Sequence, residues 1–536
     1  MKVSKAIINV LEWAGIKRAF GIPGVHNLPF YDVLKNSTIK HTLVRHEQAA
    51  PFIADAIFRT TRELSLVVTT TGPGAANTLS ALLEPMAKTI PVIVLTSQIT
   101  REKWNWPQSG LHQVKDQLGS FVSCTKERFC VKEGGDALGM TIDAIKIALT
   151  PPMGPVAIEV PFDVWDNEVC LGELPDFSRF LERPEPDLGE VEHALKIIRS
   201  WNKPLILLGG GILHSGAEDG ARELVELLKA GVLCTPSAKG IIPYDHELFL
   251  GNINGGSVMA EVLNKADGIM VIGARFSEES MRFYKLNLPE SLVHIDANRK
   301  RFGPIYTCKA SICSDIKEAL KALTKELKTF MPKFDGKFHR QNEAKVSTYA
   351  DKLLSEHKEF SIINDLRKIL GKDAIIVADQ TMLGYWADNF LPSYKPRTLF
   401  QGTGSGTLGY ALPAAIGAKM ANPEVPVLAI LGDAGLLFTV QEMATAIQES
   451  TNICVFLLNN EGYGVLRYYQ SEFYSGPTEA DLVAPDFTSL AKAFGWNAKE
   501  INDFKDFEAI YRELEGQNKP FMIILNERIL AVPFMV

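Results

Sequence analysis

The chain has 536 residues, roughly three to four times a usual single domain, so it is divided before it is read. Apolar residues make up 46%, charged residues 22% and aromatics 9%, a globular composition that excludes disorder for most of the length. With 63 acidic against 56 basic side chains the net charge is -7, which gives nucleic acid no general electrostatic attraction, and no apolar run approaches the ~18 uncharged residues of a membrane span.

In chain order, the first element is a helix over Met1 to Gly15, with Val3, Ile7, Val10, Leu11 and Ala14 on one face and Gly15 placed to stop it. That pattern reads as a packed helix rather than a secretory leader. Short Val/Ile/Leu runs follow, each ending in Gly, Thr, Ser or Asp and each leading into a helix-like segment. They are SLVVTTTGPG and PVIVLTSQ, then PLILLGGG and GIMVIGARF, then VLAILGDAG and ICVFLLNNEG. Continuous apolar strands alternating with helices predict an α/β fold with parallel sheets flanked by helices. Two stretches lose periodicity and gather Pro, Gly and charge, Asn167 to Asp187 and roughly Thr329 to Lys352, and read as linkers. They divide the chain into three domains, 1–166, 187–328 and 353–536. The first and third echo one another, because GPGAANTLSALLEP and GTLGYALPAAIGAKMA both set a Gly-rich turn before an Ala-rich helix. The seven cysteines (124, 130, 170, 234, 308, 313 and 454) are scattered and lack metal-ligand spacing, which fits a reducing cytoplasm.

In open α/β sheets ligands sit at the carboxyl ends of strands, so the polar residues ending the apolar runs carry the chemistry. Asp433, Ala434 and Gly435 end one strand of the third domain, and Asn459, Asn460 and Gly462 end the next. Asn460 follows Asp433 by 27 positions, enough for one helix over Thr439 to Glu449 and a returning parallel strand. Both side chains then emerge at one sheet edge. The Asp433 carboxylate, the Asn460 amide oxygen and a backbone carbonyl at Gly462 suit Mg2+, which takes hard oxygen ligands and keeps positions for phosphate oxygens. Small Ala434 and Gly435 let backbone N–H groups approach a diphosphate.

Here the chain resembles the thiamine diphosphate-dependent enzymes, whose signature is Gly-Asp-Gly followed at this spacing by Asn-Asn. The acetolactate synthase-like branch commonly has Ala at the last position, as in Gly432-Asp433-Ala434. Val44-Arg45-His46-Glu47-Gln48-Ala49-Ala50 resembles the family's Arg-His-Glu-Gln-Gly-Ala segment, which makes Glu47 the carboxyl beside N1' of the cofactor pyrimidine. Further matches are Gly21 to Gly24, Thr71 to Asn77, Pro91 to Gln98, Gly273 to Phe276, His294 to Asp296 and Gly404 to Pro413. The resemblance implies three domains, named pyrimidine-binding, central and diphosphate-binding. It implies cofactor contacts at Glu47, Pro73, Asn77, Gly406, Leu408, Asp433, Ala434, Gly435, Asn460 and Gly462, with Asp433, Asn460 and Gly462 holding the metal. It also implies a homodimer or homotetramer whose sites lie at the chain interface.

Within the family, three departures point away from acetolactate synthase itself. Ser277-Glu278-Glu279-Ser280 stands where that enzyme has Asp-Asp-Arg, Tyr469 where it has tryptophan, and His112-Gln113 where it has Phe-Gln. Gly21 to His26 and Leu111 to Gln117 look instead like 2-oxo acid decarboxylases such as 5-guanidino-2-oxopentanoate decarboxylase, which sets His26, His112 and Gln113 near the substrate. The expectation is a thiamine diphosphate- and Mg2+-dependent enzyme that decarboxylates a small 2-oxo acid, the remaining fragment being protonated or transferred. Acetolactate synthase proper is the alternative. FAD on Gly209-Gly210-Gly211 is possible but not favoured, because the synthase's flavin-side motifs have drifted. Two readings of other classes stay open: an NAD-dependent dehydrogenase, since Gly404-x-Gly406-x-x-Gly409 fits the dinucleotide fingerprint with Asp433 24 residues on, and a catalytically silent subunit.

Overall fold

The computed structural model describes all residues except 108–109, 171, 175, 178–182, 330–333, 335, 528–531 and 534–536. Its strands form three six-stranded sheets. The first holds β1 (Arg18–Gly21), β2 (Lys40–Leu43), β3 (Leu66–Thr69), β4 (Ile93–Gln98), β5 (Glu127–Cys130) and β6 (Val156–Pro161). The second holds β7 (Pro204–Leu208), β8 (Gly231–Cys234), β9 (Phe249–Asn252), β10 (Gly268–Ile272), β11 (Leu292–Asp296) and β12 (Ala310–Cys313). To the third belong β13 (Ile375–Ala378), β14 (Leu399–Gln401), β15 (Val427–Gly432), β16 (Cys454–Leu458), β17 (Asn497–Ile501) and β18 (Phe521–Leu525).

The chain divides into two compact units, one of residues 1–182, 401–463 and 481–527, the other of residues 183–400, 464–480 and 528–536. In the first unit the first sheet runs β2-β1-β3-β4-β6-β5, and its registered pairs are parallel. β3, β4 and β6 are buried along their whole length, as uninterrupted apolar strands with helices on both faces must be. The first helix, Val3–Trp13, buries Val3, Ile7, Val10 and Leu11, and Gly15 follows at φ +75°. The four third-sheet strands of this unit run β15-β16-β18-β17 and repeat the order β3-β4-β6-β5, which gives the sequence echo a structural basis. Helix Ala411–Ala421 of that echo packs on helix Ala49–Thr61, which follows the Glu47 segment. Their approach is close: a Cβ at Gly417 would fall 2.6 Å from the Ile53 carbonyl oxygen.

In the second unit the sheet runs β12-β11-β10-β7-β8-β9, again parallel. Its strand ends are tightly packed. A Cβ at Gly209 would lie 2.2 Å from the Gly273 carbonyl oxygen and one at Gly211 2.8 Å from Ile316, so packing accounts for two of the three glycines.

Two local expectations need correction. The predicted linker from Thr329 to Lys352 is largely a 21-residue helix, Gly336–Glu356. Only Phe338, His339, Asn342 and Leu353 of it are buried, a stripe too thin to show as apolar periodicity. Part of the other linker, Asn167 to Asp187, lies outside the described residues. The single helix predicted from Thr439 to Glu449 is two, Asp433–Thr439 and Met443–Gln448, joined by a 3-10 turn at Val440–Glu442. At the break Thr439 donates its hydroxyl to the Gly409 carbonyl (3.0 Å), and Glu442 turns its carboxyl towards another part of the unit.

Candidate active site

The edge formed by β15 and β16 carries the predicted oxygen cluster. Gly432 pairs with Leu458 in parallel register, so Asp433 and Asn459-Asn460 leave the sheet at the same level. Asp433 is 1% exposed, and its Oδ2 accepts the Gly462 N–H at 2.8 Å. Burial raises its pKa, partly offset by the N–H groups of Ala434 and Gly462. Gly462 sits at φ +149° and bridges to Asp481, a backbone setting that favours glycine. One end of the buried Asn460 amide lies 2.7 Å from the Gly462 carbonyl oxygen and 3.0 Å from Asp433 Oδ1. With its nitrogen there, the amide donates to both. With its oxygen there, three oxygens converge, an arrangement that a cation between them would stabilise. The donor set therefore fits a hard divalent ion such as Mg2+. Ala434 and Gly435, both buried, open the helix beside it and leave no bulky side chain there.

Glu47 lies on the turn between β2 and helix Ala49–Thr61, 8% exposed. Its Oε2 accepts the Asn77 side-chain N–H at 3.0 Å. Pro73 starts the single-turn helix that ends at Asn77, and a Cβ on Gly74 would come within 3.2 Å of Glu47 Oε1. The structure thus brings Glu47, Pro73 and Asn77 together, with Asn77 bonded to the carboxyl itself. The cluster also contains a residue that sequence reasoning missed. Glu442, fully buried, accepts the backbone N–H groups of Arg45 (3.1 Å) and His46 (3.0 Å) and the Thr445 hydroxyl (2.7 Å). It holds the two residues immediately before Glu47, and burial pushes its pKa up to about 7 despite those donors. A glutamate in a helical segment reads as a solvated face, so no local signal marks it.

Gly406, at φ +68° with open space where a Cβ would stand, and half-buried Leu408 lie in the turn before helix Ala411–Ala421. The N-terminal part of the chain anchors that turn. Glu84 Oε2 accepts the Ser405 N–H at 2.8 Å, and Lys88 donates to the Thr403 hydroxyl at 2.6 Å. Behind it, Arg59 donates to Asp55 (2.6 Å) and Glu84 (2.8 Å), and Tyr410 donates to Asp55 (2.5 Å), so these buried charges are mutually paired. Gly404 and Gly409 of the dinucleotide-like fingerprint are close-packed: Cβ atoms there would lie 2.8 Å from Glu84 and 2.7 Å from Phe438.

His26 and His112 come together, their rings 6.0 Å apart and His26 edge-on to Phe162 at 5.9 Å. Burial, then His112 and Lys103, lower the His26 pKa. The Nδ1 atoms of both rings are buried without a hydrogen-bond partner among the described residues. His112 is adjacent to the Pro73 turn, since a Cβ on Gly72 would lie 2.2 Å from its carbonyl oxygen. Gln113 is placed differently from its expected catalytic role, because its amide accepts the Gly110 N–H at 2.9 Å and donates to the Lys103 and Trp106 carbonyls at 3.4 Å, stapling its own loop. The missed residue here is Gln117, 3% exposed. It accepts the Gly72 N–H (2.6 Å) and the Thr71 hydroxyl (2.8 Å) and donates to Glu159 (2.8 Å), fixing the turn that leads to Pro73. In the second unit Glu279 adds to burial in raising the pKa values of Tyr469 and Tyr385, an acidic and phenolic setting where the synthase motif has arginine.

Comparison with known proteins shows the family of the chain. Residues 1–120 match the thiamine pyrophosphate enzyme N-terminal TPP binding domain, residues 191–323 the central domain and residues 379–525 the C-terminal TPP binding domain. The chain is 31% identical to the probable acetolactate synthase large subunit of Methanocaldococcus jannaschii, over 100% of its own length and 93% of that protein. It is 30% identical to the acetolactate synthase isozyme 1 large subunit of Escherichia coli (98% and 93% covered) and to the acetolactate synthase large subunit of Corynebacterium glutamicum (98% and 86% covered). The chain belongs to the thiamine pyrophosphate enzymes, another name for the thiamine diphosphate-dependent family. Within them it stands in the acetolactate synthase-like branch. The family match displaces the dehydrogenase reading, and Asp433 agrees, since its carboxylate engages Gly462 and Asn460 rather than standing free for a ribose. Among the described residues no helix is long and apolar enough to cross a membrane.

Proposed function

We propose that the protein decarboxylates a 2-oxo acid and joins the remaining fragment to a second 2-oxo acid, the reaction type of acetolactate synthase. The end-to-end match to acetolactate synthase large subunits carries this reading over the simple decarboxylase suggested by local motifs. Thiamine diphosphate, when bound, supplies the carbon nucleophile and the electron sink for decarboxylation. In this reading Asp433, Asn460 and the Gly462 carbonyl hold Mg2+, and Ala434 and Gly435 leave room for the diphosphate. Glu47 exchanges a proton with pyrimidine N1', Asn77 orients its carboxyl, and Glu442 fixes the backbone that presents it. Gly406 and Leu408 offer contacts to the pyrimidine. The domain limits 1–166, 187–328 and 353–536 and a cytoplasmic location belong to the same proposal.

A second outcome, protonation to release an aldehyde, is favoured by one observation: two histidines beside the Pro73 turn, their Nδ1 atoms without a partner among the described residues, can hold and deliver a proton. Purified protein with thiamine diphosphate and Mg2+, supplied with pyruvate and a panel of other 2-oxo acids, distinguishes the outcomes. Acetohydroxy acids with CO2 support the carboligase, aldehydes with CO2 support the decarboxylase, and absence of CO2 from every acid rejects both.

The resemblance further supports a homodimer or homotetramer in which Glu47 of one chain serves Asp433 and Asn460 of the partner subunit. Mixed Glu47→Gln and Asp433→Ala chains then form hybrid dimers with one site carrying both lesions and one carrying neither. Recovery of activity is expected after subunit exchange. No recovery despite verified exchange means that each chain builds its own site.

A further inference from the structure

The second unit contains a cavity of about 250 Å³ that none of the candidate cofactor, metal or substrate residues lines. Its walls are mostly apolar and partly aromatic, with Phe249, Met259, Phe360 and Leu391 among the lining residues. An apolar protein cavity of ~150 Å³ accommodates benzene, so this one has room for a ring and a small polar group.

One polar residue of the wall is out of keeping with the rest. Lys239 is 7% exposed, and among the described residues its Nζ donates to a single acceptor, the Ala387 carbonyl oxygen, at 2.9 Å. An ammonium carries three N–H donors, and removal from water without a paired carboxylate is costly. Asp388 interacts with it electrostatically, yet burial still brings the Lys239 pKa down to about 8. Two further residues of the same wall, Asn389 and Ser393, each hold a buried side-chain oxygen with no hydrogen-bond partner among the described residues. The cavity therefore combines an apolar lining with an under-satisfied cation and spare hydrogen-bonding capacity.

We infer that this cavity binds a small carboxylate with an apolar, ring-sized body, the ring against Phe249, Met259 and Phe360 and the carboxylate paired with Lys239. Burial of the ring supplies the affinity, and the ion pair supplies the discrimination against neutral molecules of the same shape. The inference stands apart from the proposed reaction, because the site uses none of the thiamine diphosphate residues and is tested without cofactor.

Benzoate and its neutral isostere benzamide are the probes, titrated calorimetrically into the full chain. Benzoate is expected to bind saturably, one per chain, and at least about tenfold more tightly than benzamide, the size of effect a desolvated ion pair confers. Met259→Trp, which fills the cavity and leaves Lys239 in place, should abolish binding of both while the chain keeps its melting transition. Lys239→Met should bind the two equally. If Lys239→Met does not fold, the wild-type preference and the Met259→Trp result decide alone. No benzoate binding at millimolar concentration, equal affinity of the wild type for the two probes, or undiminished binding by folded Met259→Trp overturns the inference.

Discussion

The carboxyl ends of β7 and β15 begin alike, as buried apolar strands that lead through glycine into a helix, and they end in opposite ways. After β7 the space beside Gly209 and Gly211 is filled by Gly273, Ala274 and Ile316, so the strand end closes on its neighbour. After β15 the next residue is Asp433, and the neighbouring strand contributes Asn460 and Gly462, so the strand end opens into a cluster of oxygens. The same local unit becomes packing or chemistry according to what the adjacent strand delivers at the same height.

The largest expected effect falls on the chemistry. Glu47→Gln keeps the shape of the turn but cannot exchange a proton, so turnover with thiamine diphosphate and Mg2+ should fall about 10²- to 10⁴-fold with cofactor affinity nearly unchanged. A fall of less than about tenfold, ~1.4 kcal/mol in barrier, removes Glu47 from the proton role. The closed strand end answers to a different substitution. Gly209→Val drives a side chain into the Gly273 carbonyl and should cost more than about 4 kcal/mol of stability, read by urea denaturation, whereas wild-type stability would show that the β7 end can open.

At the open strand end the test is linkage. Mg2+ with thiamine diphosphate should stabilise the wild type by ~2.7 kcal/mol at a hundredfold excess over the dissociation constant. Asp433→Ala should lose the Mg2+-dependent part of the melting shift, and retention of that part would move the metal elsewhere.

The last effect, spread over a range of pH, concerns Glu442. Its folded pKa of about 7 lies above the ordinary 4.5, so the native state binds the extra proton. The contribution is fully present below pH 4.5 and is lost as pH rises through 7, up to about 3 kcal/mol. Glu442→Gln should flatten stability between pH 4.5 and 7, measured by urea melts at both ends. An unchanged slope would assign that pH dependence to other groups.

Much of the oxygen cluster at Asp433 and Asn460 was legible in the sequence. The spacing from Asp433 to Asn460 requires a crossover between parallel neighbours, and the register Gly432 to Leu458 is what that requirement produces. The family followed from the motifs around Glu47 and Asp433, and the three parallel sheets from uninterrupted apolar strands. The acetolactate synthase large subunits, by contrast, argue for the reaction that the local departures at Ser277 to Ser280 and Tyr469 had set second.

By itself the sequence determined periodicity, strand ends and short-range spacing, because those depend on residues one crossover apart or less. Tertiary structure alone decided that Glu442 holds the backbone before Glu47, that Glu84 fixes the turn at Ser405, that Gln113 is spent on its own loop, and that a helix stands where charge suggested a linker. The first two of these bonds join residues more than three hundred positions apart, and the last two depend on a loop's internal bonding and on a helix face too thin to read. The cavity beside Lys239 is the same kind of result, since a lysine in a sequence looks solvated until the fold removes its water.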